Sequence, residues 1–256
     1  MRFLIPLLLL CVSLPSWAQR QFDIEVIIFK RNLDAQQTNE SWPNQLPEIN
    51  KAQAHEFQDA AYREAKGVQM LPYDEYQLRT QKEALDRHAG FTVLLHTAWR
   101  QDDKGKSSAP IFRILGGKDY SAQFNPDGSE KQAEPEQVVA DGITEVRIDN
   151  PLYELDGTLQ VYVQHYLFVE STLDLKAPSV REVKLESSPL DENTEQLGQV
   201  DGNVQLGNLA QVSPTVQVEQ FLKSYRMDQK RRMRSGETHY LDHPLLGIVI
   251  QVRRVE

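Results

Sequence analysis

Apolar residues in this chain recur mostly at every second position, in short runs separated by polar stretches. Between residues 22 and 30, Phe22, Ile24, Val26 and Ile28 alternate with Asp23, Glu25, Ile27 and Phe29. That period predicts a strand, and the apolar end of its second face predicts a cover there. Residues 31–67 are polar, with Trp42-Pro43 and Leu46-Pro47 marking extended chain. A helix is expected over residues 74–88, with Asp74 as N-cap, Leu78 and Leu85 two turns apart, and Gly90 beyond its end. Residues 91–99 follow as a strand buried on both faces around Val93, Leu94 and Leu95. After the polar turn at 101–109, residues 111–115 are its expected partner, ending at Gly116-Gly117.

Asn125-Pro126-Asp127-Gly128 is a strong turn signal inside a polar stretch. From Asp156-Gly157 a long alternating strand is expected. Leu159, Val161, Val163, His165, Leu167 and Val169 share one face, Tyr162, Tyr166 and Phe168 the other, with a continuation past Ser171 to Leu175. Residues 177–215 lose every period and read as a flexible polar insertion. Structure resumes at Val216, where Tyr225, Met227, Gln229, Arg231 and Met233 alternate. A turn is expected at 234–237 and a last strand over 245–252. The implied class is α+β: a predominantly antiparallel sheet, one or two helices and long polar loops, in one domain over residues 19–256.

The first 18 residues have a separate logic. Arg2 supplies a positive start, residues 4–14 are apolar apart from Pro6 and Ser13, and Ser16-Trp17-Ala18 forms a small-x-small site before Gln19. This is the pattern of a cleavable signal peptide. The apolar stretch is shorter than the roughly 18 to 20 residues that span a bilayer, so no stable membrane anchor is expected. The single cysteine, Cys11, follows Leu10 inside the apolar zone, and reads as signal-peptide filler rather than as a lipidation site. The mature chain then works outside the cytoplasm without disulfide, thiol catalysis or Cys-bound zinc.

Charge narrows the picture further. The formal net charge of −9 argues against nucleic acid or an anionic membrane as the main partner. The basic residues gather late, with Lys230, Arg231, Arg232 and Arg234 the densest run. That run is either a solvated face or a docking patch for an anionic polymer or an acidic partner. Trp99-Arg100-Gln101 has the composition of a carbohydrate site, an aromatic face flanked by donors, or of a packed strand end. Gln164-His165-Tyr166-Leu167 and the segment from Glu237 to Pro244 are the other clusters. Within the latter, His239, Asp242 and His243 have metal-ligand spacing on a helix, with Tyr240 between them, but Pro244 disfavours the helix they need. No nucleophile elbow, S-x-x-K or HExxH occurs in the mature chain, and nothing singles out two of the many Asp and Glu side chains as a glycoside-hydrolysis pair, so no metal, cofactor or catalytic residue is assigned and a non-enzyme is favoured. A metal-dependent hydrolase and a pure protein–protein adaptor are the alternatives.

Four blocks carry a family resemblance: residues 22–29 (FDIEVIIF), 95–101 (LHTAWRQ), 154–159 (ELDGTL), and the closing RRMRS at 231–235 with HYLDHPLLG at 239–247. In this order they resemble the CsiV family of periplasmic peptidoglycan-binding proteins of Gram-negative bacteria. The closing block is the most specific. The resemblance implies a non-enzymatic role: binding the wall polymer and supporting a bifunctional penicillin-binding synthase, with its outer-membrane lipoprotein activator as a further partner. It brings no catalytic residue with it.

Overall fold

The computed structural model describes residues 20–132, 150–184 and 216–255. The expected signal peptide and residues 185–215 of the expected insertion lie outside the described residues. Backbone contacts divide the chain into two units. The first comprises Met1–Asp119, Tyr153–Lys176 and Ser224–Glu256, the second Tyr120–Leu152 and Ala177–Lys223.

The fold is built from antiparallel sheet with two short helices. Strands β1 (Gln21–Arg31), β2 (Val68–Met70), β3 (Phe91–Asp102), β8 (Thr238–Asp242) and β9 (Leu246–Arg254) form one sheet in the order β2-β3-β1-β9-β8. Strands β4 (Ile111–Asp119), β5 (Tyr153–Val163), β6 (Leu167–Lys184) and β7 (Val216–Met233) form the other in sequence order. The helices are α1 (Ala60–Lys66) and α2 (Arg79–Arg87).

Strand β1 is the centre of the first sheet, paired with β3 on one side and β9 on the other. Both its faces are covered, as its second apolar row requires. Ile24, Val26 and Ile28 on one face, and Glu25, Ile27 and Phe29 on the other, are all buried. Opposite Ile24 on β3 stands Trp99, whose ring lies 5.3 Å from those of Phe57 and Phe112.

On the other face, Glu25 has no exposed surface and gathers four donors. The amides of Gln77 and Leu78 donate to it at 2.6 and 2.8 Å, His96 Nε2 at 2.9 Å and Arg253 at 3.2 Å. These bonds pin the backbone just ahead of α2. Asp74 was the expected N-cap, yet it lies in a short 3-10 turn over Tyr73–Glu75, and the helix starts at Arg79 after Leu78, which has no side-chain cap of its own. The carboxylate that receives the amides of Gln77 and Leu78, just ahead of the helix, comes from β1, a contact no local pattern reveals.

Other expectations shift for similarly specific reasons. The fully buried part of β3 is Thr97–Trp99 rather than Val93–Leu95, which are only half-buried. Strand β4 pairs with β5 and not with β3. The long strand expected from Asp156 is a hairpin: β5 and β6 pair up to Val163 opposite Leu167, and Gln164 N donates to Tyr166 O at 3.0 Å across the tip. Residues 177–184, assigned above to the polar insertion, continue β6. Helix α1 falls in the stretch read as extended. Asp59 accepts from Tyr62 N at 2.9 Å at its start, and Gly67 closes it at φ 65°.

In the second unit the 125–128 turn forms as expected. Gly128 N donates to Asn125 O at 2.9 Å, and Gly128 has φ 85°, a left-handed value that favours glycine. A Cβ there would also stand 2.8 Å from Leu222 O. Tyr120, Phe124 and Leu222 form this unit's apolar cluster, and Arg181 pairs with Glu219 while lying over the Phe221 ring.

Glu25 yields the first prediction. Burial alone would raise its pKa, but His96, the two amides and Arg253 outweigh this and hold it below the ordinary 4.5. A carboxylate lowered in the folded state stabilises fully above its ordinary value, and that stabilisation is lost as pH falls through the lower folded value. Glu25→Ala is expected to cost about 3 kcal/mol at neutral pH, as removal of one partner from a buried ionic network does. Urea unfolding of both proteins from pH 7 to pH 3 checks this; an unchanged midpoint at pH 7, or a gap that widens in acid, contradicts it.

A candidate binding surface on the β5–β6 hairpin

Side chains alternate across a strand, so Asp156, Thr158, Gln160 and Tyr162 project from the same face of β5. The register places Tyr162 opposite Phe168 on β6, and their rings stack at 5.5 Å with planes 22° apart. Tyr162 is fully buried, and its hydroxyl donates to Glu170 at 2.7 Å. Two lysines complete the group. Lys106 reaches Glu170 at 2.6 Å and Lys230, from β7, reaches it at 3.0 Å. Both ammonium groups lie over aromatic rings: Lys106 5.7 Å from the Tyr162 centroid, Lys230 5.9 Å from Tyr162 and 5.3 Å from Phe168.

At the hairpin tip, Tyr166 is 54% exposed, and the Arg232 guanidinium lies 4.3 Å from its ring centroid. Alternation along β7 puts Lys230 and Arg232 on the hairpin side and Arg231 on the opposite face. The result is an open surface of one exposed aromatic ring, a guanidinium stacked on it, and two ammonium groups anchored on one carboxylate. Such a surface can stack on a sugar ring while donating hydrogen bonds to hydroxyls and carboxylates.

Of the sequence candidates, Lys230 and Arg232 from the basic run and Tyr166 join this surface, and the others lie elsewhere. Trp99 is 1% exposed, and its Nε1 donates to Gln101 Oε1 at 2.8 Å. Gln101 in turn donates to Val161 O at 2.9 Å, while Arg100, on the other face of β3, holds Asp23 through two bonds of 2.7 and 3.1 Å. The aromatic face proposed for sugar is therefore part of the core. Arg231 and Arg234 are exposed, Arg234 lying 3.6 Å from Glu237. In β8, His239 points to the opposite side from Tyr240 and Asp242, and its ring accepts from Arg234 N at 3.1 Å.

Tyr240 and Asp242 form a separate exposed group with Arg31, which donates to the two at 2.8 and 2.6 Å. His243 packs its ring 5.3 Å from Trp42 and accepts from Leu245 N at 3.2 Å; burial lowers its pKa. The three residues with ligand spacing thus face different neighbours. Among the described residues, no group of three His, Cys, Asp or Glu side chains is placed to hold a metal ion.

Reading the chain alone missed Lys106, Tyr162, Phe168, Glu170 and Lys230 as one group. A signal existed, since Tyr162, Tyr166 and Phe168 share a face in the alternating pattern. What it lacked was the fold-back that brings Tyr162 against Phe168.

Glu170 provides a direct check. Burial pushes its pKa up, but Lys106, Tyr162 and Lys230 pull it down to about 2. It therefore stays ionised well below the ordinary 4.5, and its pairing is lost only as pH falls toward the lower value. A carboxyl NMR titration is expected to show a midpoint near that value, moved upward by Lys230→Ala. A wild-type midpoint in the ordinary glutamate range contradicts the arrangement.

Among the described residues, no helix is long and apolar enough to cross a membrane. No curated protein and no solved structure matches the chain. A family model described as "Peptidoglycan-binding protein, CsiV" matches residues 2–255. With almost its entire length covered by that model, the chain belongs to the CsiV family of peptidoglycan-binding proteins.

Proposed function

We propose that this protein binds peptidoglycan through the β5–β6 hairpin surface, as a non-enzymatic factor in the periplasm. The observation that carries the reading is the exposed Tyr166 ring with Arg232 stacked on it beside Lys230. Peptidoglycan offers sugar faces for the ring, and hydroxyls and carboxylates for the guanidinium. The interaction needs no group to be activated, in keeping with a family described by binding.

The wider role is support of wall synthesis by a bifunctional penicillin-binding protein together with its outer-membrane lipoprotein activator. Membership of a wall-binding family and the secretory pattern of the first 18 residues support it. A factor in this role holds the polymer near the synthase and performs no chemistry. The alternative of a hydrolase built on His239, Asp242 and His243 loses ground, because those three side chains do not meet.

The test is co-sedimentation of the purified mature protein with isolated sacculi. Wild type is expected in the pellet at low salt and progressively in the supernatant as salt rises, because exposed cations are screened. Tyr166→Ala and Arg232→Ala are each expected to weaken binding about tenfold, equivalent to about 1.4 kcal/mol. Both side chains are exposed, so the fold should persist and circular dichroism can verify it. Full retention of both variants would remove the hairpin surface from the account; wild type remaining in the supernatant would remove wall binding.

A further inference from the structure

A second feature lies where the segment before α1 runs along β4. His55 bridges to Phe112: His55 N donates to Ile111 O at 3.1 Å, and Arg113 N donates to His55 O at 2.8 Å. This pairing holds residues 51–58 against the sheet edge. It brings Lys51 to within 2.6 Å of Asp156, a carboxylate with only 8% of its side chain exposed.

Asp156 already has other partners. Arg113 grips it through Nε at 2.8 Å and Nη2 at 3.1 Å, and Lys176 stands 3.6 Å away. Three cations therefore surround one carboxylate, and the cluster has more positive charge than it can neutralise. Arg113 also lines an adjoining cavity of about 220 Å³, together with Glu56, Gln58, Tyr153, Leu95 and Leu115. Its Nη1 makes none of the bonds to Asp156. The opposite imbalance occurs at Glu56, which is exposed and has no cation partner among the described residues. The cavity thus has unspent positive charge at Arg113, unspent negative charge at Glu56, and apolar walls from Leu95 and Leu115.

We propose that this cavity takes a zwitterionic amino-acid group, its carboxylate on Arg113 and its ammonium on Glu56. It is smaller than the pockets that hold drug-sized molecules and suits one amino-acid end group. Such a group is presented by the free end of a diamino acid in a wall stem peptide. The inference therefore rests on the wall-binding reading and adds a peptide subsite to it. A bare anion would leave Glu56 unmatched, and a bare cation would meet the surplus of positive charge around Asp156.

The test is isothermal titration of the mature protein with a stem tripeptide ending in meso-diaminopimelate, and with the same tripeptide acetylated on its side-chain amine. Sacculus co-sedimentation runs in parallel. The unmodified tripeptide is expected to bind. Acetylation and Glu56→Gln should each weaken binding about tenfold, and the two together little more than either alone, because both remove one contact. Glu56 is exposed and unpaired, so this variant should fold; Arg113 is left intact because it also holds Asp156. Equal affinity of Glu56→Gln and wild type, or of the acetylated and free peptides, overturns the subsite. Sacculi bound without tripeptide binding overturns the subsite and leaves the wall reading standing; neither bound overturns both.

Discussion

A carboxylate with no exposed surface can remain ionised only if its neighbours replace the water it has lost, and Glu25 meets that condition through four donors. The donors come from three places: His96 on β3, Arg253 on β9, and the amides leading into α2. Since β1 lies between β3 and β9, one side chain sets two neighbours and the helical cover together. A slip of one residue in either ladder would turn its donor to the other face and leave the charge unpaired. The same register places Ile24 opposite Trp99 and Val252 on the reverse face. The polar network on one side and the aromatic core on the other are thus consequences of one alignment.

This also explains what could be read from the chain. Strand β1 was legible because its alternation is strict and its second apolar row announces a cover. The turn at 125–128 was legible because Asn, Pro, Asp and Gly each favour it for a separate local reason. The hairpin at 164–166 was not. Gln164, His165 and Tyr166 carry no glycine, proline or asparagine, and the alternation of Val161, Val163 and Leu167 runs through the tip unbroken. Helix α1 had its signals in Asp59 and Gly67, but seven residues hold too little apolar periodicity to stand out from a polar stretch. Trp99 misled for another reason. An aromatic beside Arg and Gln has the same composition whether it faces solvent or the core, and its burial depends on Phe57 and Phe112, both distant in sequence.

The electrostatics of the hairpin surface differ from those of a simple basic patch. The chain as a whole is acidic, with a formal net charge of −9, so long-range attraction toward an anionic polymer is weak. Within the surface, Glu170 compensates part of the charge of Lys106 and Lys230 and fixes both ammonium groups in place. At ordinary ionic strength, fields decay over about 8 to 10 Å, so recognition depends on contacts rather than on steering. In the proposed binding mode the ring of Tyr166 and the guanidinium of Arg232 supply those contacts, and both groups are planar, which favours a flat sugar face over a compact anion.

Strand geometry links the two proposed binding features. Asp156, where Arg113 is anchored, and Tyr162, at the hairpin end, are six residues apart on the same face of β5. At about 3.3 Å per residue the separation along the strand is about 20 Å. A small ligand cannot cover that distance, whereas a polymer alternating sugar and peptide can touch both ends at once. Engagement of the first site converts the second into an intramolecular event at high effective concentration, so the polymer gains affinity over either fragment. On these readings, a rigid strand is the element that sets the spacing, and intact polymer is preferred over its fragments because only the polymer can match it.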